Sequence, residues 1–226
     1  MCVLFAGFFL NPLFIAQFSA SALQIESEEI DSLIKSLYVK RVKVGLHLPS
    51  NSDELVFVDE LQSPTSDVVD SVKERLLRMA KQSASLRTTV IQRLLTVLER
   101  SERDRSYSEI GASVWYCAFE VFGELRAEKA IDIMVRHLNF RDKVITLSLH
   151  YAVVYQVVKI GQPAVPRLVQ ALYDEKPSVR GLAAVALGEI RGKEAEEALK
   201  DALLTESDGL VINNIKVALS KLSRKE

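Results

Sequence analysis

Few residues of this chain combine a reactive type with a useful spacing. The three histidines, His47, His137 and His150, could serve as metal ligands or general bases. None stands in an H-E-x-x-H pattern and none has an acidic cluster beside it, so they read as satisfied or exposed side chains. Gly188-Glu189-Ile190-Arg191-Gly192-Lys193 has the outline of a phosphate loop. It has three residues between its glycines instead of four, lacks Ser or Thr after Lys193, and follows a helical pattern instead of a strand. No G-x-S-x-G elbow is present. Cys117 lies in the apolar run Trp115-Tyr116-Cys117-Ala118-Phe119 and reads as a core thiol. Trp115, Phe119 and Phe122 recur at near-helical spacing, which makes them core residues before a ligand box. The expectation is a non-enzymatic protein with no catalytic residue, no metal and no cofactor.

Charge narrows the partners. The chain carries 29 Lys and Arg against 30 Asp and Glu, a formal net charge of −1, without the basic excess of a nucleic-acid binder. One stretch is locally basic: Lys73, Arg75, Arg78, Lys81, Arg87 and Arg93 outnumber Asp67, Asp70 and Glu74. Because these cations alternate with apolar helix positions, they predict a solvated helix face.

The first residues are of a different composition. Up to Ile25 there is no charged side chain, while Phe5, Phe8, Phe9, Phe14 and Phe18 fall within an apolar run from Val3 to Phe18. Ala20 and Ala22 then fit an A-x-A cleavage site. Residues 1–22 therefore read as a secretory signal peptide, although no Lys or Arg precedes the run and Asn11-Pro12 interrupts it. The alternative is an uncleaved membrane anchor, for which the run is short of the ~20 residues of a spanning helix. The expected location is periplasmic or secreted, with membrane contact only if the leader stays. Removal of the leader takes Cys2 with it, leaving Cys117 alone and no internal disulfide.

The elements that must position any functional surface follow from periodicity. Residues 23–65 form one region. Ile30, Leu33, Ile34 and Leu37 recur at helical spacing, with Ser27 as an N-cap ahead of Glu28 and Glu29. Val42, Val44, Leu46 and Leu48 then alternate with polar residues, a turn-rich Pro49-Ser50-Asn51-Ser52-Asp53 follows, and Leu55-Val56-Phe57-Val58 completes a β-hairpin or an extended loop. Residues 66–226 are helical throughout. Ser66 or Asp67 is the expected cap of a helix through Val68, Val69, Val72, Leu76, Leu77 and Ala80. A second helix, from about Ser85 to Arg103, buries Leu86, Val90, Ile91, Leu94, Leu95 and Leu98. Its alternating end, Glu99 to Arg105, reads as solvated helix and linker.

From Ser113 to Leu222 the chain repeats itself. Gly123-Glu124-Leu125-Arg126-Ala127-Glu128-Lys129-Ala130 aligns without a gap on Gly188-Glu189-Ile190-Arg191-Gly192-Lys193-Glu194-Ala195, and Met134 and Leu138 fall on Leu199 and Leu203. Ile160-Gly161-Gln162-Pro163-Ala164 is the same unit one residue shorter. Val211, Ala218, Leu219 and Leu222 repeat Val179, Ala186, Leu187 and Ile190. A period of roughly 30 to 38 residues is that of stacked helix pairs. The glycine near each turn is expected to end the first helix at φ > 0, and Pro163 suits the first turn of the next.

Gly161 to Leu222 resembles the HEAT-like repeats of phycobilisome lyases and bacterial scaffold proteins. Val179-Arg180, Ala183-Ala184 and Leu187-Gly188-Glu189-Ile190 hold the family's places. The resemblance implies an all-α fold, an α-α superhelix forming a short HEAT-like solenoid, with the small β-hairpin near its N-terminus. It implies an Asp174–Arg180 acid–base pair between helices, and a lining of the concave side by the second helix of each pair. By that analogy the partner-binding face comprises Glu128, Asp132, Arg136, Arg167, Gln170, Glu194, Glu197 and Lys200. Their mixed signs point to a protein or peptide partner more than to a polyanion. The leading expectation is an exported interaction or scaffold module. The alternatives are a lyase-like enzyme or chromophore-binding protein, and behind them a nucleic-acid binder.

Overall fold

The computed structural model describes residues 24–140 and 152–223, except 25, 39, 48–54, 63, 105 and 106. For 40–47, 55–62 and 107–110 it describes the backbone alone. The leader at residues 1–22, the turn at 49–53 and His150 lie outside the described residues.

Helices alternate between two layers. The first layer holds α2 (Ser66–Gln82), α4 (Tyr107–Glu124), α6 (Ala152–Ile160), α8 (Pro177–Ile190) and α10 (Gly209–Ser223). The second holds α3 (Ala84–Asp104), α5 (Ile131–Arg136), α7 (Val165–Ala171) and α9 (Lys193–Thr205). Within the first layer α2 packs on α4, α4 on α6, α6 on α8 and α8 on α10; α5, α7 and α9 follow one another in the second. Each helix therefore meets only its neighbours in the stack, the contact pattern of a solenoid. No pair covers its own apolar face, and stacking buries one continuous core from Ile30 to Ala218. The helices before Ser113 join the same two layers, although their sequences do not align with the later repeats.

An N-terminal helix, α1 (residues 26–36), closes the first pair. Ile30, Ile34 and Leu37 are buried. Glu29 pairs with Arg75 of α2 at 2.5 Å, and the Arg93 guanidinium of α3 donates to Ser27 Oγ at 2.7 Å. Ser27 thus stands inside the helix and serves as a tie to α3, not as the expected cap. The cap of α2 is Thr65, which makes no side-chain capping bond, and Ser66 and Asp67 belong to the first turn. The hairpin is formed by β1 (Lys40–His47) and β2 (Leu55–Gln62), antiparallel, with Val44 opposite Val58. The second strand runs beyond the expected Val58 to Gln62.

The glycines do a different job from the one their spacing predicted. Gly123 and Gly188 lie within α4 and α8, ahead of the turns. At these two turns the left-handed positions belong to Arg126 (φ 46) and Arg191 (φ 64), with Gly192 (φ 107) just after Arg191; Gly161 (φ 83) fits the expectation, and Gly111 (φ 74) kinks α4 near its start. Gly188 permits a close crossing: a Cβ there would stand 2.7 Å from Ala218 Cβ and 2.8 Å from Ala218 Cα on α10. A Cβ at Gly123 would stand 2.8 Å from Gln156 Cβ on α6.

The predicted Asp174–Arg180 pair is replaced by another. Arg180 donates through Nε to Glu206 Oε2 at 2.6 Å and through Nη2 to Glu206 Oε1 at 2.9 Å. Asp174 meets Arg180 through its backbone carbonyl, while its carboxylate accepts from the Lys176 N–H. A carboxylate placed after α9 can span to the next turn, whereas Asp174 is committed to its own.

Candidate functional site

Six residues make α5, and Ile131, Ile133, Met134 and Val135 face the core. That leaves Asp132 and Arg136 outside, four apart and bonded to each other. Arg167 of α7 reaches Asp132 Oδ1 at 2.8 Å, and Arg136 Nη2 reaches Glu102 Oε2 of α3 at 2.9 Å. The row Glu102–Arg136–Asp132–Arg167 alternates in sign across three helices of the second layer. Each link is half-exposed and contributes about 1 kcal/mol or less; together they fix the orientation of four long side chains.

Of the residues expected on the partner face, Asp132, Arg136 and Arg167 are brought together. Gln170 is exposed on the same helix as Arg167. Glu194, Glu197 and Lys200 lie on α9, where Lys193 pairs with Glu197 at 3.5 Å and Lys200 with Glu196 at 2.6 Å; no ion pair joins them to the row among the described residues. Glu128 sits in the 3-10 turn before α5, away from the row. Sequence reasoning missed Glu102, taken as part of a solvated linker. Its separation of 34 residues from Arg136, close to the repeat period, was the available signal.

Beneath the row, His137 Nε2 lies 2.6 Å from Glu102 Oε1, and its ring packs 4.5 Å from that of Trp115. Burial lowers the His137 pKa against the opposing pull of Glu102. Burial would raise Glu102, yet hydrogen bonds from Arg136 and His137 hold it below the ordinary carboxylate value. Trp115, Phe119 and Phe122 are buried, as core residues should be. Cys117 is fully buried, and burial pushes its thiol up to about 12.

The first layer carries its own inter-repeat pairs. Lys73 meets Glu120 at 2.9 Å, Lys159 meets Glu124 at 2.5 Å, and Lys221 meets Glu189. Most of the locally basic stretch is consumed in ion pairs, within α2 or to α1: Lys73 also with Asp70, Arg75 with Glu29, Arg78 with Glu74 and Arg93 with Asp31. Among the described residues, no group of three or more His, Cys, Asp or Glu could hold a metal ion, and no helix is long and apolar enough to cross a membrane.

Two layers of sequential helices, each touching only its neighbours, define a helical-repeat solenoid. Within it, residues 148–220 match the family model for HEAT repeats, a span that includes α6 to α9 and most of α10. No curated protein matches the chain.

Proposed function

We propose that this protein is a non-enzymatic interaction module, exported from the cytoplasm, that holds a protein or peptide partner on its helical-repeat surface. HEAT repeats commonly mediate protein–protein interaction, and that is the coarse function the repeat match supports. The observation that carries the reading furthest is the ordered row Glu102–Arg136–Asp132–Arg167. Side chains already fixed by their neighbours lose little entropy on docking, and alternating signs select a partner of complementary pattern over a uniform polyanion. The neutralised basic stretch is in keeping with this. A lyase-like chemistry has only the resemblance of Leu187-Gly188-Glu189-Ile190 in its favour, and the buried Cys117 offers no accessible nucleophile.

Export rests on the leader sequence. A C-terminal tag followed by cell fractionation and cross-linking tests compartment and partner together. The proposal expects the protein in the periplasmic or secreted fraction with a stoichiometric partner, lost when Asp132 and Arg167 are both replaced by Ala. Recovery from the cytoplasm alone would remove the export claim; a partner retained by the double variant would remove the row as the docking face.

A further inference from the structure

The turn between α4 and α5 meets the first turns of α3 around a cleft of about 270 Å³. Its lining includes the apolar Ile91 and Ala127, the cations Arg87, Arg126 and Lys129, and one carboxylate, Glu128. Elsewhere on α2 and α3, Lys73, Arg75, Arg78 and Arg93 each find a carboxylate. Among the described residues Arg87, Arg126 and Lys129 form no ion pair. Arg87 instead donates to the Leu125 carbonyl, which pins the turn against α3.

Arg126 also stands at a strained backbone position, as does Arg191 (φ 64), its counterpart in the aligned repeat. Arg126 holds φ 46, a left-handed conformation that side-chain-bearing residues disfavour. The corresponding place in the next repeat is Gly161, at φ 83, where glycine takes the same hand without that penalty.

From these observations we infer that the cleft is an anchor for an acidic peptide segment of the partner, receiving a carboxylate on a short aliphatic stem. The apolar floor takes the stem. Arg87, Arg126 and Lys129 surround the carboxylate, and their excess over Glu128 leaves the cleft two positive charges before the ligand enters. The inference rests on the interaction reading and adds the chemistry of the partner. It places the anchor at the edge of the stack, apart from the alternating row on α5 and α7.

The test is fluorescence anisotropy with the full chain and a fluorescein-labelled, glutamate-rich peptide, beside a lysine-rich control. Binding to the acidic peptide alone, weakening as salt rises, is expected. Arg126→Gly should weaken binding roughly fivefold while the melting temperature holds or rises, since it removes a cation and a strained conformation together. Lys129→Gln should weaken binding to a similar degree and leaves the backbone conformation alone. An absence of peptide binding by the unaltered chain overturns the inference, as does undiminished binding by Lys129→Gln. Cross-linking separates the two readings. A partner captured equally by both cleft variants sinks the anchor and leaves the interaction module standing, while peptide binding without any captured partner does the reverse.

Discussion

Arg180 and Glu206 face each other in a two-pronged pair, with the Glu206 side chain only 6% exposed. The same carboxylate accepts the backbone N–H groups of Ser207 and Asp208, both at 2.9 Å. One side chain thereby joins the start of α8 to the loop between α9 and α10. Glu206→Gln should lower stability by about 2 kcal/mol, the scale of a charge-assisted hydrogen bond lost with its partner left behind. Chemical denaturation of both proteins at neutral pH measures it.

The same pair sets an acid limit. Arg180, ahead of burial in effect, holds the Glu206 carboxyl at about 2, well below the ordinary 4.5. A depressed carboxylate contributes its full stability above the unfolded value and loses it as pH falls through the folded one. The melting temperature should therefore drop between about pH 4.5 and pH 2, and by less in Glu206→Gln.

His137 acts in a higher window. Burial lowers its pKa, so the fold favours the neutral ring. The unfolded chain takes up the proton first as pH falls below the ordinary 6.5, and stability declines from there toward the folded value. Melting curves between pH 8 and pH 5 should show this slope, and His137→Gln should flatten it; an unchanged slope would assign the effect to another group.

Two glycines should fail for opposite reasons. In a helix interior Gly→Ala ordinarily gains up to about 1 kcal/mol, but at Gly188 the new methyl meets Ala218 of α10. Gly188→Ala should cost about 1–3 kcal/mol, as overpacking does. Gly161→Ala meets nothing within 4 Å and is opposed only by its φ of 83; it should cost about 1–2 kcal/mol. Adding Ala218→Gly should recover little of the first loss, because the Ala218 Cα still stands 2.8 Å from the new methyl, and none of the second.

Cys117 should ignore alkylating reagents in the native protein. Its thiol is fully buried, with its pKa pushed up to about 12. Labelling by iodoacetamide, followed by mass spectrometry, should appear only as the stack opens, which makes it a native reporter of unfolding.

Much of this architecture was legible because helical period and repeat period are both written in apolar residues. Val179, Ala186, Leu187 and Leu199 announce the C-terminal repeats, and all four are buried. The hairpin was readable from alternation alone. Long-range polar pairs were not. Nothing local distinguishes Asp174 from Glu206 as the partner of Arg180, because the choice depends on where the loop after α9 folds back. Likewise Gly188 aligned with Gly123 beside a turn, and only the packing of α10 shows that its missing side chain serves a crossing. The partner face was half visible: Asp132 and Arg136 follow from helical spacing, but Glu102 belongs to the row only because α3 stacks beside α5.

The two glycine crossings also give the stack a mechanical grain. At Gly188 the backbone of α8 lies against a methyl and Cα of α10, with no torsion that could yield. At Gly123 the approach is as close, with Gln156 Cβ 2.8 Å and its backbone Cα 3.0 Å from where a Cβ would stand, and no rotamer change moves either. A bending load should therefore turn α4 with α6 and α8 with α10 as two levers and be taken up between α6 and α8, making the stack a jointed arm instead of a uniform spring.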